Sequence, residues 1–205
     1  MIPYIKIQSL YKRDEKGKML FGQYSLPEFE YLRDNTWVFT EKVDGTNIRV
    51  MWNGTNVTFN GKTDNAQIPA TLVKKLIETF PTEKFESLDE ELCLYGEGYG
   101  VKIQKGGGNY IPDGVNFVLF DVKVGDWWLK REDIEDIANK FPISVVPIIG
   151  EGTLDKLALM CEEGFNSQWG DFIAEGVVAR PKVELRDRAG HRIITKLKHK
   201  DFLDV

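Results

Sequence analysis

Lys42 lies in the stretch FTEKVDGTNIRVMW (residues 39–52), between two runs that alternate as strands do, residues 37–41 and 48–52. Lysine is depleted in strands, and a half-buried one is unusual without a task. One task would be nucleophilic attack, since an unprotonated amine can attack an electrophilic centre and hold the product as a covalent adduct. The other reading is a solvated lysine at a strand end, ahead of an Asp-Gly turn. The pattern Lys-x-Asp-Gly does not decide between them, because average composition produces it in roughly one chain in twenty of this length.

Four further segments carry charge or an aromatic ring where a strand favours neither. In LCLYGEGYG (92–100), Glu97 ends an apolar run between glycines, where a ligand or another backbone can approach closely. A carboxylate there is costly unless it is hydrogen-bonded or metal-bound. In FVLFD (117–121), alternation predicts that Phe120 and Asp121 face opposite ways. Phe120 is either a core residue or a platform for a base. In FIAEGVVAR (172–180), Glu175 interrupts an otherwise apolar strand, which implies a partner. In RIITKLK (192–198), period two puts Lys196 and Lys198 on one face and Ile193, Thr195 and Leu197 on the other. Two adjacent ammonium groups repel unless an anion lies between them, and phosphate is the natural one.

The elements that must position these residues form an α+β pattern with mostly antiparallel pairing, since short turns rather than helices join many of the strands. Residues 37–52 read as a strand pair broken at Asp44-Gly45, and Asn53-Gly54 then turns the chain into a strand over 55–59. Residues 69–80 read as a helix, with Pro69 in its first turn and Leu72, Val73, Leu76, Ile77 and Phe80 on one stripe. Strands are predicted over 92–95, 115–124, 127–129, 172–180 and 191–198, and helices over 131–141 and 153–161. The segment before Phe39 reads as strands and a helix of the same fold.

The composition, 42% hydrophobic and 12% aromatic over 205 residues, excludes a disordered chain. No apolar run approaches membrane-spanning length, and MIPYIKIQSL has neither the charged start nor the continuous apolar core of a signal peptide. Cys93 and Cys161 lie among apolar neighbours without CxxC spacing and read as buried thiols of a reducing cytoplasm. His191 and His199 also lack zinc-ligand spacing. A net charge of −5 argues against a general nucleic-acid coat. Residues 180–200 nevertheless hold eight Lys/Arg against Glu184 and Asp187, while residues 1–179 hold 19 Lys/Arg against 28 Asp/Glu. A basic end on an acidic body suggests either a confined phosphate site or a solvated basic face.

The order of these segments resembles a known family. KVDG, YGEGYG, FVLFD, AEGVVARP and ITKLK look like motifs I, III, IIIa, IV and V of the covalent nucleotidyltransferases, which include polynucleotide ligases and mRNA capping enzymes. EKVDGTN, AEGVVARP and IQKG most resemble the phage T4 RNA ligase 2 family, which also includes RNA-editing ligases. The resemblance spans Glu41 to Lys200. It implies a nucleotidyltransferase (ATP-grasp-like ligase) fold, with mostly antiparallel sheets flanked by helices. Residues 1–205 would form a single adenylation domain with no C-terminal oligonucleotide-binding or helical domain.

Carried onto these residues, the resemblance implies that Lys42 attacks the α-phosphate of ATP to form lysyl-AMP. Lys196 and Lys198 would hold that phosphate and neutralise charge in the transition state. Phe120 would stack on adenine, Glu97 would bind the ribose, and Glu41 and Val43 would meet the base through backbone groups. Glu175, with Glu97, would help to hold Mg²⁺ or Mn²⁺. Asn47 and Lys62 match positions that contact nucleotide or RNA phosphate. Lys62 replaces the family's usual arginine, and Asp44 stands where close relatives can carry histidine. The implied activity is ATP-dependent joining of 5′-phosphate and 3′-hydroxyl RNA ends, at nicks or breaks, by a cytoplasmic monomer that needs no membrane. A partner protein could supply a clamp on the RNA. A small DNA ligase shares the chemistry, although its motif I more often carries arginine where this chain has Asn47. A capping enzyme is disfavoured on the same ground, and a non-catalytic nucleotide- or RNA-binding module is the alternative from another class.

Overall fold

Burial alternates strictly along Trp37–Lys42: Trp37, Phe39 and Glu41 are buried, and Val38, Thr40 and Lys42 are less so. That alternation gives one strand two faces, an apolar one for a core and an open one for chemistry. The computed structural model describes residues 3–203; Met1, Ile2, Asp204 and Val205, which belong to the segments read above at either end, lie outside the described residues.

The chain divides into a flanking unit, Lys6–Val43 with the described part of Pro147–Val205, and a central unit, Asp44–Val146 with the described part of Met1–Ile5. It enters the flanking unit through β1 (Gln8–Ser9), β2 (Tyr11–Arg13), β3 (Met19–Tyr24), α1 (Pro27–Tyr31) and β4 (Trp37–Lys42). The central unit holds β5 (Thr46–Trp52), β6 (Val57–Asn60), α2 (Ala70–Thr79), β7 (Leu92–Gly100), α3 (Gly107–Tyr110), β8 (Val115–Val124), β9 (Trp127–Trp128), α4 (Arg131–Lys140) and β10 (Ser144–Val145). The chain then returns through β11 (Ile148–Gly152), α5 (Leu154–Glu163), β12 (Gly176–Pro181), β13 (Thr195–Lys198) and α6 (Lys200–Leu203). This is the α+β arrangement of mostly antiparallel sheets with helices that the sequence predicts. Among the described residues no helix is long and apolar enough to cross a membrane.

In the flanking unit the sheet order is β1–β13–β12–β4–β11, antiparallel except for β1 beside β13. Its inner face buries Trp37, Phe39, Val177, Ala179 and Leu197 with Leu154, Leu157 and Cys161 of α5. Thr153 starts that helix, its hydroxyl accepting the Lys156 N–H at 3.3 Å.

In the central unit the order is β10–β8–β7–β5–β6, with β9 on β8. One face carries Ile48, Val50, Leu94, Phe117 and Leu119 into a core with Leu72 and Leu76 of α2 and Ile134 of α4. The hairpin at Asn53-Gly54 forms as predicted, pairing β5 with β6. The break at Asp44-Gly45 does not make one: β4 and β5 join different sheets, so the predicted strand pair is a passage between two sheets.

Candidate active site

The open face of the flanking sheet assembles the charged residues by register alone. Lys42 on β4 lies opposite Gly176 on β12, and Gly176 lies opposite Lys198 on β13. Directly opposed residues of an antiparallel pair share a face. The two lysines therefore stand on either side of a residue with no side chain. The neighbouring rung is Thr40, Val178 and Lys196, which puts Lys196 and Lys198 on one face as the period-two reading predicts.

Glu175 fills the gap. It does not interrupt the strand, as predicted, but immediately precedes it, because β12 begins at Gly176. One carboxylate oxygen lies 2.5 Å from Lys42 Nζ and the other 2.5 Å from Lys198 Nζ. The side chains of Lys42, Glu175 and Lys198 are 20%, 12% and 23% exposed, so water screens the triad only in part. Two ammonium groups and one carboxylate leave a net positive charge, with Lys196 one rung away. Removing Glu175 would leave the two cations unneutralised, which explains why a partly buried glutamate is tolerated here.

Gly176 is needed for this spacing. A Cβ there would lie 2.2 Å from the Leu197 carbonyl oxygen and 2.7 Å from Lys198 Cα, both backbone atoms that cannot swing aside. Gly176→Ala is therefore expected to force β12 and β13 apart and to destabilise the fold by about 1–3 kcal/mol, as overpacking does. Thermal melting of that variant, read against Gly108→Ala, where nothing lies within 4 Å and the backbone is not left-handed, checks it.

Glu41, on the inner face, is 1% exposed. Its carboxylate accepts the Ser167 hydroxyl at 2.6 Å and the Gln168 N–H at 2.8 Å. Burial pushes the Glu41 carboxyl above its ordinary range, and these two hydrogen bonds oppose the shift. Its amide donates to the Pro147 carbonyl at 3.1 Å, so the N–H half of the implied backbone contact already has a partner. Val43, next to the strand end, is buried.

In the central unit Asn47 and Glu97 face each other across β5 and β7. Among the described residues the buried Asn47 Oδ1 has no hydrogen-bond partner. Gly45 passes tightly over Glu97 and Gly98; a Cβ there would lie 2.2 Å from the Gly98 carbonyl oxygen and 2.8 Å from Glu97 Cγ. Gly96 and Gly98 serve the core rather than a ligand: a Cβ would meet the Phe117 ring at the first and Leu72 at the second.

Phe120 and Asp121 are not on opposite faces. The β7–β8 register slips between Tyr95 and Gly96, which pair with Asp121 and Leu119 and leave Phe120 as the extra residue of a bulge. Both side chains meet Tyr4, whose ring lies edge-on to Phe120 at 5.1 Å and whose hydroxyl donates to Asp121 at 2.7 Å. Phe120 is half-buried, whereas Phe117 is core.

Lys62 is exposed on the loop after β6. Beneath it lies a residue the sequence reading passed over. The guanidinium of Arg49 is fully buried, donating to the Gly61 carbonyl at 2.9 Å and to Asp64 at 2.7 Å. The hydrogen bond from Arg49 and its charge hold the Asp64 carboxyl below the usual carboxylate range. Charge in mid-strand, with Asn47 on the same face by period two, is the signal that could have found Arg49.

Among the described residues no three His, Cys, Asp or Glu side chains gather to hold a metal ion by themselves. The one carboxylate of the triad, Glu175, is a hard oxygen donor, which fits an ion bound mainly through phosphates.

Comparison with known proteins converges on one family. The model of the RNA ligase family matches residues 35–198. No curated protein sequence matches. A structure titled as a mutant RNA ligase of Naegleria gruberi with ATP and Mn is 18% identical, with a TM-score of 0.73 over 99% of this chain and 58% of that one. The same organism's ligase with PPi gives 18% and 0.68 over 98% and 63%. A mutant of it without ligand gives 20% and 0.67 over 99% and 63%. This chain thus spans about three-fifths of the ligase chains whose fold it shares.

Proposed function

Because the chain belongs to the RNA ligase family, we propose that it is an ATP-dependent RNA ligase working through a covalent lysyl-AMP intermediate on Lys42. The observation that carries this reading is the triad: Lys42 and Lys198 flank Gly176 and share the Glu175 carboxylate, with Lys196 on the same face.

In the first step the Lys42 amine attacks the α-phosphorus of ATP. A phosphoramidate bond forms, the bond to the β-phosphate oxygen breaks, and pyrophosphate leaves. Phosphoryl transfer asks the protein chiefly for position and for cations on the non-bridging oxygens, which Lys196 and Lys198 would supply. Attack requires a neutral amine, so Lys42 passes a proton to the Glu175 carboxylate 2.5 Å away or to water before it attacks. The AMP would then pass to a 5′-phosphate end, and a 3′-hydroxyl would displace it to close the phosphodiester.

In the flanking unit Glu175, with the nucleotide's phosphates, would hold a magnesium or manganese ion, which polarises the phosphoryl oxygens when bound. In the central unit Glu97 would take the ribose hydroxyls, Asn47 would use its unpartnered oxygen toward the nucleotide, and Phe120 would stack on adenine. Lys62 would meet a phosphate, with Arg49 bracing its loop. The ATP-grasp-like resemblance treats residues 1–205 as one adenylation domain of a cytoplasmic, monomeric enzyme, and nicked or broken RNA is its substrate. A clamp protein is a further candidate partner.

Incubation with labelled ATP or GTP and magnesium, followed by denaturation, tests the reading. A covalent label from ATP that outcompetes GTP and disappears without divalent metal is expected; an unlabelled protein overturns it. The two phenylalanines separate the base platform from the core. Phe117→Ala is expected to cost about 3–5 kcal/mol of stability through a core cavity. Phe120→Ala should leave melting closer to wild type and instead weaken ATP binding, by the roughly 1–3 kcal/mol that base stacking contributes. Calorimetric titration and melting of both variants give the ranking, and the reverse ranking would show that Phe120 is not the platform.

A further inference from the structure

His199 follows Lys198 and takes no part in the chemistry set out above. Its backbone N–H donates to the Glu175 carbonyl at 3.0 Å, extending the ladder one step past the pair of Gly176 and Lys198. Its ring Nδ1 lies 2.9 Å from the Cys161 carbonyl oxygen. A carbonyl only accepts, so Nδ1 carries the proton and donates.

Cys161 is in the last turn of α5, where carbonyls lack partners within the helix. A histidine side chain near a helix C-terminus can satisfy such a group. The ring also lies over Gly164, the residue that ends the helix at φ 74°, where an added Cβ would stand 3.0 Å from His199 Cε1. Two further contacts tie the same strand end. The Cys161 thiol reaches the Leu197 carbonyl at 3.6 Å, and Asp201 accepts the Lys198 N–H at 3.3 Å while receiving Arg13 at 2.8 Å.

We propose that His199 is a positioning residue for lysine adenylation: its ring fastens the end of β13 to the end of α5 and so fixes the backbone of Glu175 and Lys198, from which the bridge to Lys42 is built. This rests on the proposed ligase chemistry and goes beyond it, because His199 would touch neither nucleotide nor metal. Without the ring, the Glu175–His199 backbone bond loses its side-chain anchor on the helix. A displacement of about 1 Å at reacting groups can cost on the order of a hundredfold in rate.

The test compares wild type with His199→Ala, His199→Asn and His199→Gln in single-turnover adduct formation at saturating ATP with magnesium, below the melting temperature of each. Asparagine can place an N–H where Nδ1 stands; glutamine reaches toward the Nε2 position instead. Alanine and glutamine are expected to slow labelling about tenfold or more with little change in the ATP concentration needed, and asparagine to stay within about threefold of wild type. A readout independent of activity is the tautomer: nitrogen NMR should find the neutral ring protonated on Nδ1. Wild-type labelling by His199→Ala, asparagine as slow as glutamine, or an Nε2-protonated neutral ring would overturn the role. If alanine unfolds the protein, the asparagine–glutamine contrast decides. An unlabelled wild type would instead overturn the ligase reading itself, and this role with it.

Discussion

Lys42→Arg is expected to leave no covalent AMP on the protein, and Lys42→Ala to do the same. Arginine keeps the positive charge and can still pair with Glu175, but its guanidinium stays protonated and cannot attack. Removing an enzyme nucleophile can cost on the order of a millionfold in turnover, so the label should fall to background. The fold should survive both changes: Lys42 sits on the open face of the sheet, and Lys198 still neutralises Glu175 at 2.5 Å. Gel analysis after incubation with labelled ATP, beside a melting curve, separates chemistry from folding. Wild-type labelling in either variant would end the ligase reading.

The second large effect belongs to the basic face. Lys198→Ala and Lys196→Ala are each expected to slow adduct formation by about 10²–10³, the usual cost of deleting one transition-state contact. The two should differ in degree. Lys198→Ala also removes one arm of the Glu175 bridge, leaving the carboxylate on Lys42 alone. Lys196→Ala keeps both the Lys42 and the Lys198 contacts of Glu175. Lys198→Ala should therefore slow labelling more than Lys196→Ala, and rapid-quench rates of the two variants would read it. If both variants label as wild type does, the basic face is merely solvated.

The face shared by Lys196 and Lys198 was legible in the sequence because strand alternation is local and unbroken from Thr195 to Lys198. The hairpin at Asn53-Gly54 and the helix after Pro69 were legible for the same reason: turn chemistry and periodicity act over a few residues. Phe120 and Asp121 were misread because a bulge inserts one residue into the count, and a bulge exists only in the register with the neighbouring strand. The role of Gly176 was hidden too, since what a Cβ would strike there belongs to Leu197 and Lys198. Arg49 was passed over because its partners, Gly61 and Asp64, come from a loop beyond the next strand. Alternation and turns are written in the chain; registers, bulges and loop closures depend on which distant strand arrives alongside.

That dependence has a kinetic side. Glu175 stands 133 positions from the lysine it bridges, and β13, which supplies Lys198, is the last strand among the described residues. Pairings of such long range form slowly, because the intervening loop must close before its contacts stabilise anything. During synthesis Lys42 emerges well before either partner, so a nascent chain carries the amine without the surface that would hold a phosphate against it. Self-labelling would then report that β13 has docked, and the rate at which a refolding sample becomes competent to take the label would time the closure of the β4–β12–β13 ladder.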